Sequence, residues 1–143
     1  MLYGRILVPL EHSPADDTII AHARELARRL GSSLVLIHVA DGWVARNIKE
    51  LDLRESEEMR EDRGYLEAVA TRLQGEGLDV DAVLAAGDPA KEIAAAAERE
   101  ECDLIAMATH GHRLLDDVVR GSTATALRHL TRVPILMVRS DRS

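Results

Sequence analysis

The sequence predicts a doubly wound α/β fold, in which helices cover both faces of a parallel sheet. Five short apolar runs rich in β-branched residues alternate with helical patterns along the chain. Four of these runs are apolar at consecutive positions, which is typical of strands buried on both faces. No linker rich in Pro, Gly or Ser divides the 143 residues. We therefore expect a single domain over residues 1–143 with a Rossmann-like five-stranded sheet.

The predicted strands cover residues 5–10, 33–40, 79–87, 102–109 and 133–138. The third run alternates polar and apolar side chains, which suits a strand at the edge of the sheet. We expect the last run at an edge as well, because it is the final strand of this topology. An unpaired apolar edge favours association with a second copy, so we expect a homodimer that pairs through residues 133–139.

Two of the predicted helices carry clear start and stop signals. In the first, Ser13 is the expected N-cap, Pro14 the first helical residue and Gly31 the residue that ends the helix. Asp88 followed by Pro89 repeats the same starting pattern after the third strand. Both segments then show apolar residues at helical spacing.

The connection after the second strand is unusually long. Residues 41–57 separate that strand from the helical pattern of residues 58–74, whereas such connections usually have about two to six residues. The segment is interpreted either as a lid over the carboxyl edge of the sheet or as an extra helical turn near "IKELDL".

Composition and charge exclude several classes of partner. A formal net charge of −7 disfavours a phosphate backbone, and three aromatic residues cannot form a stacking platform for single-stranded nucleic acid. No apolar run approaches the roughly 20 residues of a membrane span, and the start of the chain lacks the apolar core of a signal peptide. We expect a cytoplasmic protein that binds neither nucleic acid nor membrane. The single Cys102 excludes an internal disulfide and is expected to be a small buried side chain.

Candidate binding loops follow the first and fourth strands. Residues 9–13 come after the first strand, and residues 108–111 come after the fourth. Ligands of open α/β sheets bind beyond the carboxyl ends of the strands, where the winding direction reverses. If these two strands are neighbours, both loops face one crevice.

The segment "THGHRLLDDVVRGSTATALRHL", residues 109–130, has features of a phosphate cradle. Gly111 and Gly121 allow close approach of the backbone to a ligand, and Ser122 and Thr123 add hydroxyls beside the free N–H groups of a helix start. There is no Walker lysine, and no GxGxxG fingerprint follows the first strand. A loop followed by a capped helix is the alternative interpretation.

His110 and His112 flank Gly111, and their imidazoles can donate to phosphate oxygens. Arg113 and Arg120 are candidates for the same role, or they are solvated. A zinc site needs a third ligand that this spacing does not supply, so no metal site is predicted. Three further histidines are expected to be structural or surface residues: His22, His38 and His129.

Five segments resemble the universal stress protein family, in the family's order and over essentially the whole chain: "ILVPLEHSP", "LVLIHVAD", "GDPAKEI", "IAMATHGHRLLDDVVRGSTATAL" and "RVPILMVR". The resemblance implies the adenine nucleotide alpha hydrolase-like form of the fold. Nucleotide-binding members carry Gly, two residues, Gly, nine residues, then Gly-Ser or Gly-Thr. Gly111, Gly121 and Ser122 match this pattern. Ala108 replaces the first glycine, and Glu11 replaces the family's usual Asp.

The resemblance implies ATP or another adenine nucleotide as the ligand, with or without Mg²⁺. The backbone of Val39 and the turn at residues 9–10 would then line the adenine pocket, and residues 108–111 would wrap ribose and phosphate. Glu11 would accept a hydrogen bond from the ribose or the adenine amino group. The implied nucleotide-binding residues are Pro9, Leu10, Glu11, Val39, Met107, Ala108, His110, Gly111, His112, Arg113, Gly121, Ser122 and Thr123.

The expected function is nucleotide-responsive signalling in a stress response. Catalysis has no support, because the chain lacks a Walker lysine and a GxSxG nucleophile elbow. The alternative is a dimeric family member that binds no nucleotide and acts as a protein-interaction module, which Ala108 and Glu11 favour.

Overall fold

A computed structural model describes residues 2–41, 48–110 and 123–140. The described residues form a five-stranded sheet in the order β3-β2-β1-β4-β5, and every pair of neighbours is parallel. This confirms the predicted α/β fold and places the third and last strands at opposite edges. The strands are β1 (Arg5–Pro9), β2 (Ser33–Asp41), β3 (Val80–Gly87), β4 (Leu104–His110) and β5 (Ile135–Ser140).

The helices are α1 (Asp16–Leu30), α2 (Ile48–Gly75), α3 (Pro89–Arg99) and α4, whose described part is residues 123–130. Among the described residues, no helix combines the length and the apolar character that crossing a bilayer requires. Residues 48–57 form the first part of α2, which confirms the helical interpretation of "IKELDL". Residues 42–47 lie outside the described residues.

The predicted start of α1 at Ser13 and Pro14 is wrong. The helix begins at Asp16, and its N-cap Ala15 already has helical backbone angles without a side-chain cap. Ser13 instead belongs to a preceding turn: its carbonyl oxygen accepts from the Asp16 N–H at 3.0 Å, and its Oγ accepts from the Ala15 N–H at 3.3 Å. The turn therefore uses the capping groups of Ser13 before the helix starts. The expected end is confirmed, since Gly31 is the C-cap with φ 71°.

The predicted start of α3 is confirmed. The Asp88 carboxylate accepts from the Lys91 backbone N–H at 3.0 Å, and Pro89 is the first helical residue. This cap satisfies one of the free N–H groups at the helix start. It also fixes the first turn of α3 directly after β3.

Two apolar clusters lie on the two faces of the sheet, as buried parallel strands require. Ile6 and Val8 of β1 point to the cluster that includes α1 and α2, whereas Leu7 points to the cluster that includes α3 and α4. Cys102 belongs to the second cluster and is buried, as predicted. Burial raises the pKa of its thiol to about 11, so the thiol is protonated and unreactive at neutral pH.

Candidate functional site

A cavity of about 320 Å³ opens at the carboxyl edge of the sheet. It lies where the winding reverses, because β1 pairs with both β2 and β4 and the chain proceeds outward on either side. The volume falls within the usual range for small-molecule sites. The residues that line it are Pro9, Leu10, Glu11, Ile37, His38, Val39, Pro89, Ile93, Met107, Ala108 and Thr123.

The ends of the first and fourth strands meet at one crevice, as expected, but residues 108–110 belong to β4 and do not form a loop. Seven of the thirteen predicted binding residues line the cavity: Pro9, Leu10, Glu11, Val39, Met107, Ala108 and Thr123. His110 ends β4, and the position of its side chain is not described. Five further predicted residues lie outside the described part of the chain: Gly111, His112, Arg113, Gly121 and Ser122.

Sequence reasoning missed four residues that line the cavity: Ile37, His38, Pro89 and Ile93. Two of them belong to β2, and the sequence analysis predicts only a structural or surface role for His38. The other two lie in the first turns of α3, next to the Asp88 cap. A signal was present, since a capped helix that follows a strand starts at the same edge as the carboxyl ends of its neighbours. Its contribution to a cavity depends on strand order, which the sequence did not specify.

Ala108 does not distort the site. It lies within β4, paired with Val138, and is 6 % exposed. Among the described residues other than glycine, positive φ occurs at Tyr3, His12 and Glu101. The backbone at position 108 is therefore one that alanine adopts without strain, and glycine is not required there.

The turn between β1 and α1 is organised by Asp16, a residue that the sequence did not single out. Its side chain is buried, and its carboxylate accepts from the backbone N–H groups of Glu11 at 2.9 Å, His12 at 2.8 Å and Ser13 at 3.3 Å. The carboxylate also accepts from the Tyr65 hydroxyl at 2.6 Å. These bonds let His12 hold a left-handed conformation with φ 65°.

Burial, together with this hydrogen bond to Asp16, raises the pKa of the Tyr65 phenol. Deprotonation would place a second negative charge against the buried carboxylate and would remove the donor. Tyr65 is therefore a permanent hydrogen-bond donor to Asp16 at neutral pH. In this way α2 holds the turn that borders the cavity.

Two imidazoles converge on one carboxylate beside the cavity. His12 Nδ1 lies 2.8 Å from Asp62 Oδ1, and His38 Nε2 lies 3.3 Å from Asp62 Oδ2. His38 Nδ1 is also 2.9 Å from the Leu10 carbonyl oxygen. The His12 ring stacks on Tyr65 with centroids 4.1 Å apart. Within the described residues, no group of three or more His, Cys, Asp or Glu side chains fits a metal ion.

The chemistry of the cavity is that of a binding site with an apolar interior. Aliphatic and Pro side chains form most of its walls, which suits a flat ring with polar groups at its edge. Glu11 at the rim accepts from the Ser13 hydroxyl at 3.0 Å, which holds its carboxylate at the entrance. Thr123, in the described part of α4, also lines the cavity.

Fold and cavity together define a doubly wound α/β protein with a ligand-sized pocket at the point where the winding reverses. A family model described as the universal stress protein family matches residues 2–139. The chain belongs to the universal stress protein family.

Curated relatives agree with this assignment. The chain is 30% identical over 148 residues to a universal stress protein of Methanothermobacter thermautotrophicus, with 97% of each chain covered. It is 24% identical over 163 residues to universal stress protein MJ0577 of Methanocaldococcus jannaschii, covering 100% of this chain and 99% of that protein.

Solved structures show the same fold. The structure of MJ0577 matches with a TM-score of 0.81 at 24% identity and full coverage of both chains. A universal stress protein from Archaeoglobus fulgidus in complex with dAMP matches with a TM-score of 0.66 at 20% identity, covering 96% of this chain and 99% of that one. A universal stress protein in complex with cAMP matches with a TM-score of 0.70 at 15% identity, covering 97% and 98%.

Proposed function

We propose that this protein binds an adenine nucleotide, ATP with or without Mg²⁺, in the cavity at the carboxyl edge of the sheet. The observation that carries the proposal is the position of the cavity between the ends of β1, β2 and β4, at the reversal of winding. Binding there acts as a signal in a stress response, and no catalytic step is proposed. Family members of the same fold occur in complex with dAMP and cAMP, both of which carry adenine.

The adenine ring fits the inner part of the cavity. Val39, Ile37 and Met107 provide apolar surface for a purine, and burial of such surface is favourable by about 25 cal/mol per Å². Val39 lies two residues beyond Ile37, the last residue of β2 that pairs with β1, and its backbone is proposed to hydrogen-bond the edge of the base. Glu11 at the rim is placed to accept from the ribose or from the amino group.

The phosphates extend toward Thr123. Thr123 lies in the described part of α4 and lines the cavity, where its hydroxyl can donate to a phosphate oxygen. Gly121 and Ser122 immediately precede it in the sequence, and we expect them to form the phosphate cradle together with His110, Gly111, His112 and Arg113. These six residues remain predictions.

Calorimetric titration of Thr123→Glu with ATP and with adenosine tests this orientation. A carboxylate at position 123 repels the phosphates, so ATP affinity should fall at least about tenfold, about 1.4 kcal/mol. Adenosine, which lacks phosphates, should lose little affinity. Thr125→Glu is the matched control, because Thr125 is exposed on the same helix. Equal losses for both ligands, or for both variants, would contradict the placement.

We also propose a homodimer that pairs through residues 133–139. In the monomer β5 is an edge strand, and Met137 exposes 48% of its surface. Pairing two such edges about a two-fold axis satisfies their N–H and C=O groups. Met137→Lys places a charge in that interface without touching the core, so light scattering should then report a monomer. A monomeric wild-type protein would refute this assembly.

The alternative is a family member that binds no nucleotide and acts through protein contacts alone. The unstrained backbone at Ala108 removes one argument for it. Chromatography of the supernatant after denaturation of purified protein separates the two, since a binding protein carries adenine nucleotide with it. A cytoplasmic location and a single domain over residues 1–143 stay predictions.

A further inference from the structure

His38 faces acceptors on both sides of its ring. Nδ1 lies 2.9 Å from the Leu10 carbonyl oxygen, and Nε2 lies 3.3 Å from a carboxylate oxygen of Asp62. A carbonyl oxygen and a carboxylate can only accept hydrogen bonds. A neutral imidazole carries one N–H and can satisfy one of them, so both contacts are hydrogen bonds only when the ring holds two protons.

Asp62 is placed to stabilise that protonated ring. It lies between His38 and His12, and its side chain is 21% exposed while that of His38 is 14% exposed. A partly buried carboxylate next to an imidazole favours the charged form of the ring. The second oxygen of Asp62 pairs with His12, whose ring also stacks on Tyr65 of α2.

The arrangement connects α2 to the rim of the cavity by two routes. Asp62 contacts His38, whose Nδ1 lies against the Leu10 carbonyl oxygen. It also contacts His12, which follows Glu11 in the turn. Leu10, Glu11 and His38 all line the cavity. Asp62 itself is not among the lining residues, so any effect that it has on a ligand passes through the imidazoles.

We propose that Asp62 is a positioning residue for the nucleotide pocket, acting through His38 and His12 to hold the turn of residues 10–13 at its rim. The proposal deepens the proposed function and rests on it for the identity of the ligand. The link is complete when His38 carries both protons. Because the second proton is more available at lower pH, we expect the link to be stronger at pH 6 than at pH 8.

Other ionisable groups surround this link. Within the described residues, Asp62 and Tyr65 of α2 contact the imidazoles, Asp16 of α1 binds the His12 backbone, and Glu11 precedes His12 in the turn. The phenol of Tyr65 stays protonated between pH 6 and 8, because burial and the hydrogen bond to Asp16 raise its pKa. Asp62→Asn shows whether a change in this interval depends on the contact between Asp62 and the imidazoles.

Adenosine is the probe that isolates the effect, because it has no phosphate that titrates or that contacts the glycine-rich segment. Calorimetry at pH 6 and pH 8 should give a wild-type affinity about threefold tighter at pH 6, from the gain of one charge-assisted hydrogen bond. Asp62→Asn should weaken binding about fivefold at pH 6 and remove the pH dependence. An Asn amide can donate to a neutral Nε2, so the local shape is kept.

Glu61→Gln is the matched control, since it removes the same charge from an exposed neighbouring position on α2. It should keep both the affinity and the pH dependence. If Asp62→Asn folds and binds adenosine as the wild type does at both pH values, the positioning role is refuted.

Nitrogen-15 spectra of the ligand-free protein judge the link without any ligand. At pH 6, His38 should show two protonated ring nitrogens in the wild type and one in Asp62→Asn, with shifts of the Glu11 and His12 amides. If wild-type protein binds neither ATP nor adenosine but shows these spectra, the proposed function fails and the positioning of the turn stands. If His38 carries a single proton in both proteins, the positioning proposal fails whatever the ligand result.

Discussion

At the amino edge of the sheet, where the strands begin, and at its carboxyl edge, where they end, one carboxylate binds backbone N–H groups, but the surrounding side chains differ. At the amino edge, Asp103 accepts from the backbone N–H groups of Gly4 and Arg5, both at 3.1 Å. At the carboxyl edge, Asp16 accepts from three backbone N–H groups of the turn after β1. In both places one carboxylate collects backbone donors that the strand leaves unpaired.

The difference lies in the side chains that surround each carboxylate. At the amino edge, the Arg5 guanidinium hydrogen-bonds Asp81 and Glu100 at 3.1 Å and Ser33 at 3.2 Å. At the carboxyl edge, no Lys or Arg among the described residues forms an ion pair with Asp16 or Asp62. Imidazoles and a phenol occupy that side instead, and a cavity remains. At the amino edge the charged Arg5 side chain links β1 to β2 and β3, whereas imidazoles and a phenol border the cavity at the carboxyl edge.

The largest effect is expected from Asp16→Asn. The amide would direct an N–H group at backbone donors and would lose the charge that binds them, so unfolding free energy should fall by roughly 2–4 kcal/mol. Asp17→Asn changes an exposed neighbour and should stay within about 0.5 kcal/mol of the wild type. Urea unfolding measures both. A loss at Asp16 no larger than the control would show that the turn is held by other contacts.

A smaller effect is expected at the amino edge, from Asp103→Asn. Burial alone would raise the pKa of Asp103, but the backbone hydrogen bonds from Arg5 and Gly4 lower it below 3.8 in sum. The charged carboxylate therefore stabilises the fold above that pH, and the contribution is lost as the pH falls through the lowered value. At pH 7 we expect a loss of about 1–2 kcal/mol.

The difference between wild type and Asp103→Asn should shrink as the pH falls below about 4, because the wild-type carboxyl is then protonated as well. Thermal unfolding between pH 3 and 7 measures this. Glu98→Gln, an exposed position on α3, should show no such convergence. A constant difference down to pH 3 would mean that the Asp103 charge does not contribute.

Tyr65→Phe tests the hydrogen bond that holds Asp16 at the carboxyl edge. It removes the hydrogen bond to Asp16 but keeps a ring against His12, so stability should fall by about 1 kcal/mol. Because the pKa of Tyr65 is raised, this contribution is present below pH 10 and is lost as the pH rises above it. Chemical unfolding at pH 7 and at pH 10.5 should show the two proteins converging. Tyr3→Phe, near the other edge, is the control.

The fold was predictable because burial on both faces leaves a pattern that needs no knowledge of strand order. Runs such as "LVLI", residues 34–37, are apolar at every position, and Asp88 with Pro89 starts α3 by local chemistry alone. The start of α1 was misjudged by two to three residues. Ser13 has the right chemistry for an N-cap, but its N–H donates to Asp16 and its Oγ accepts from Ala15, so it belongs to a turn. Tyr65 of α2 holds the Asp16 carboxylate in place.

The candidate site was predictable only in part, for the same reason. Glu11 lies just after β1 and Ala108 lies near the carboxyl end of β4, so the sequence placed both at the same end of the sheet. His38 and Asp62 are 24 residues apart and meet only because α2 packs across the end of β2. Neither residue lies in a local motif, so no spacing rule could join them.

The smallest expected effect tests whether Ala108, which replaces a glycine of the family's pattern, blocks the cavity at the carboxyl edge. The methyl is buried within β4 and the backbone needs no positive φ, so Ala108→Gly should change ATP affinity by less than about threefold. The same variant should lose about 1 kcal/mol of stability through the added flexibility of glycine in a strand and the lost methyl contacts. Ala106→Gly, buried on the same face but away from the cavity, should show that stability loss with unchanged affinity. Calorimetric titration and urea unfolding of both variants provide the comparison. If Ala108→Gly tightens ATP binding tenfold or more, the methyl obstructs the pocket, and the interaction-module alternative becomes the better account of the wild-type protein.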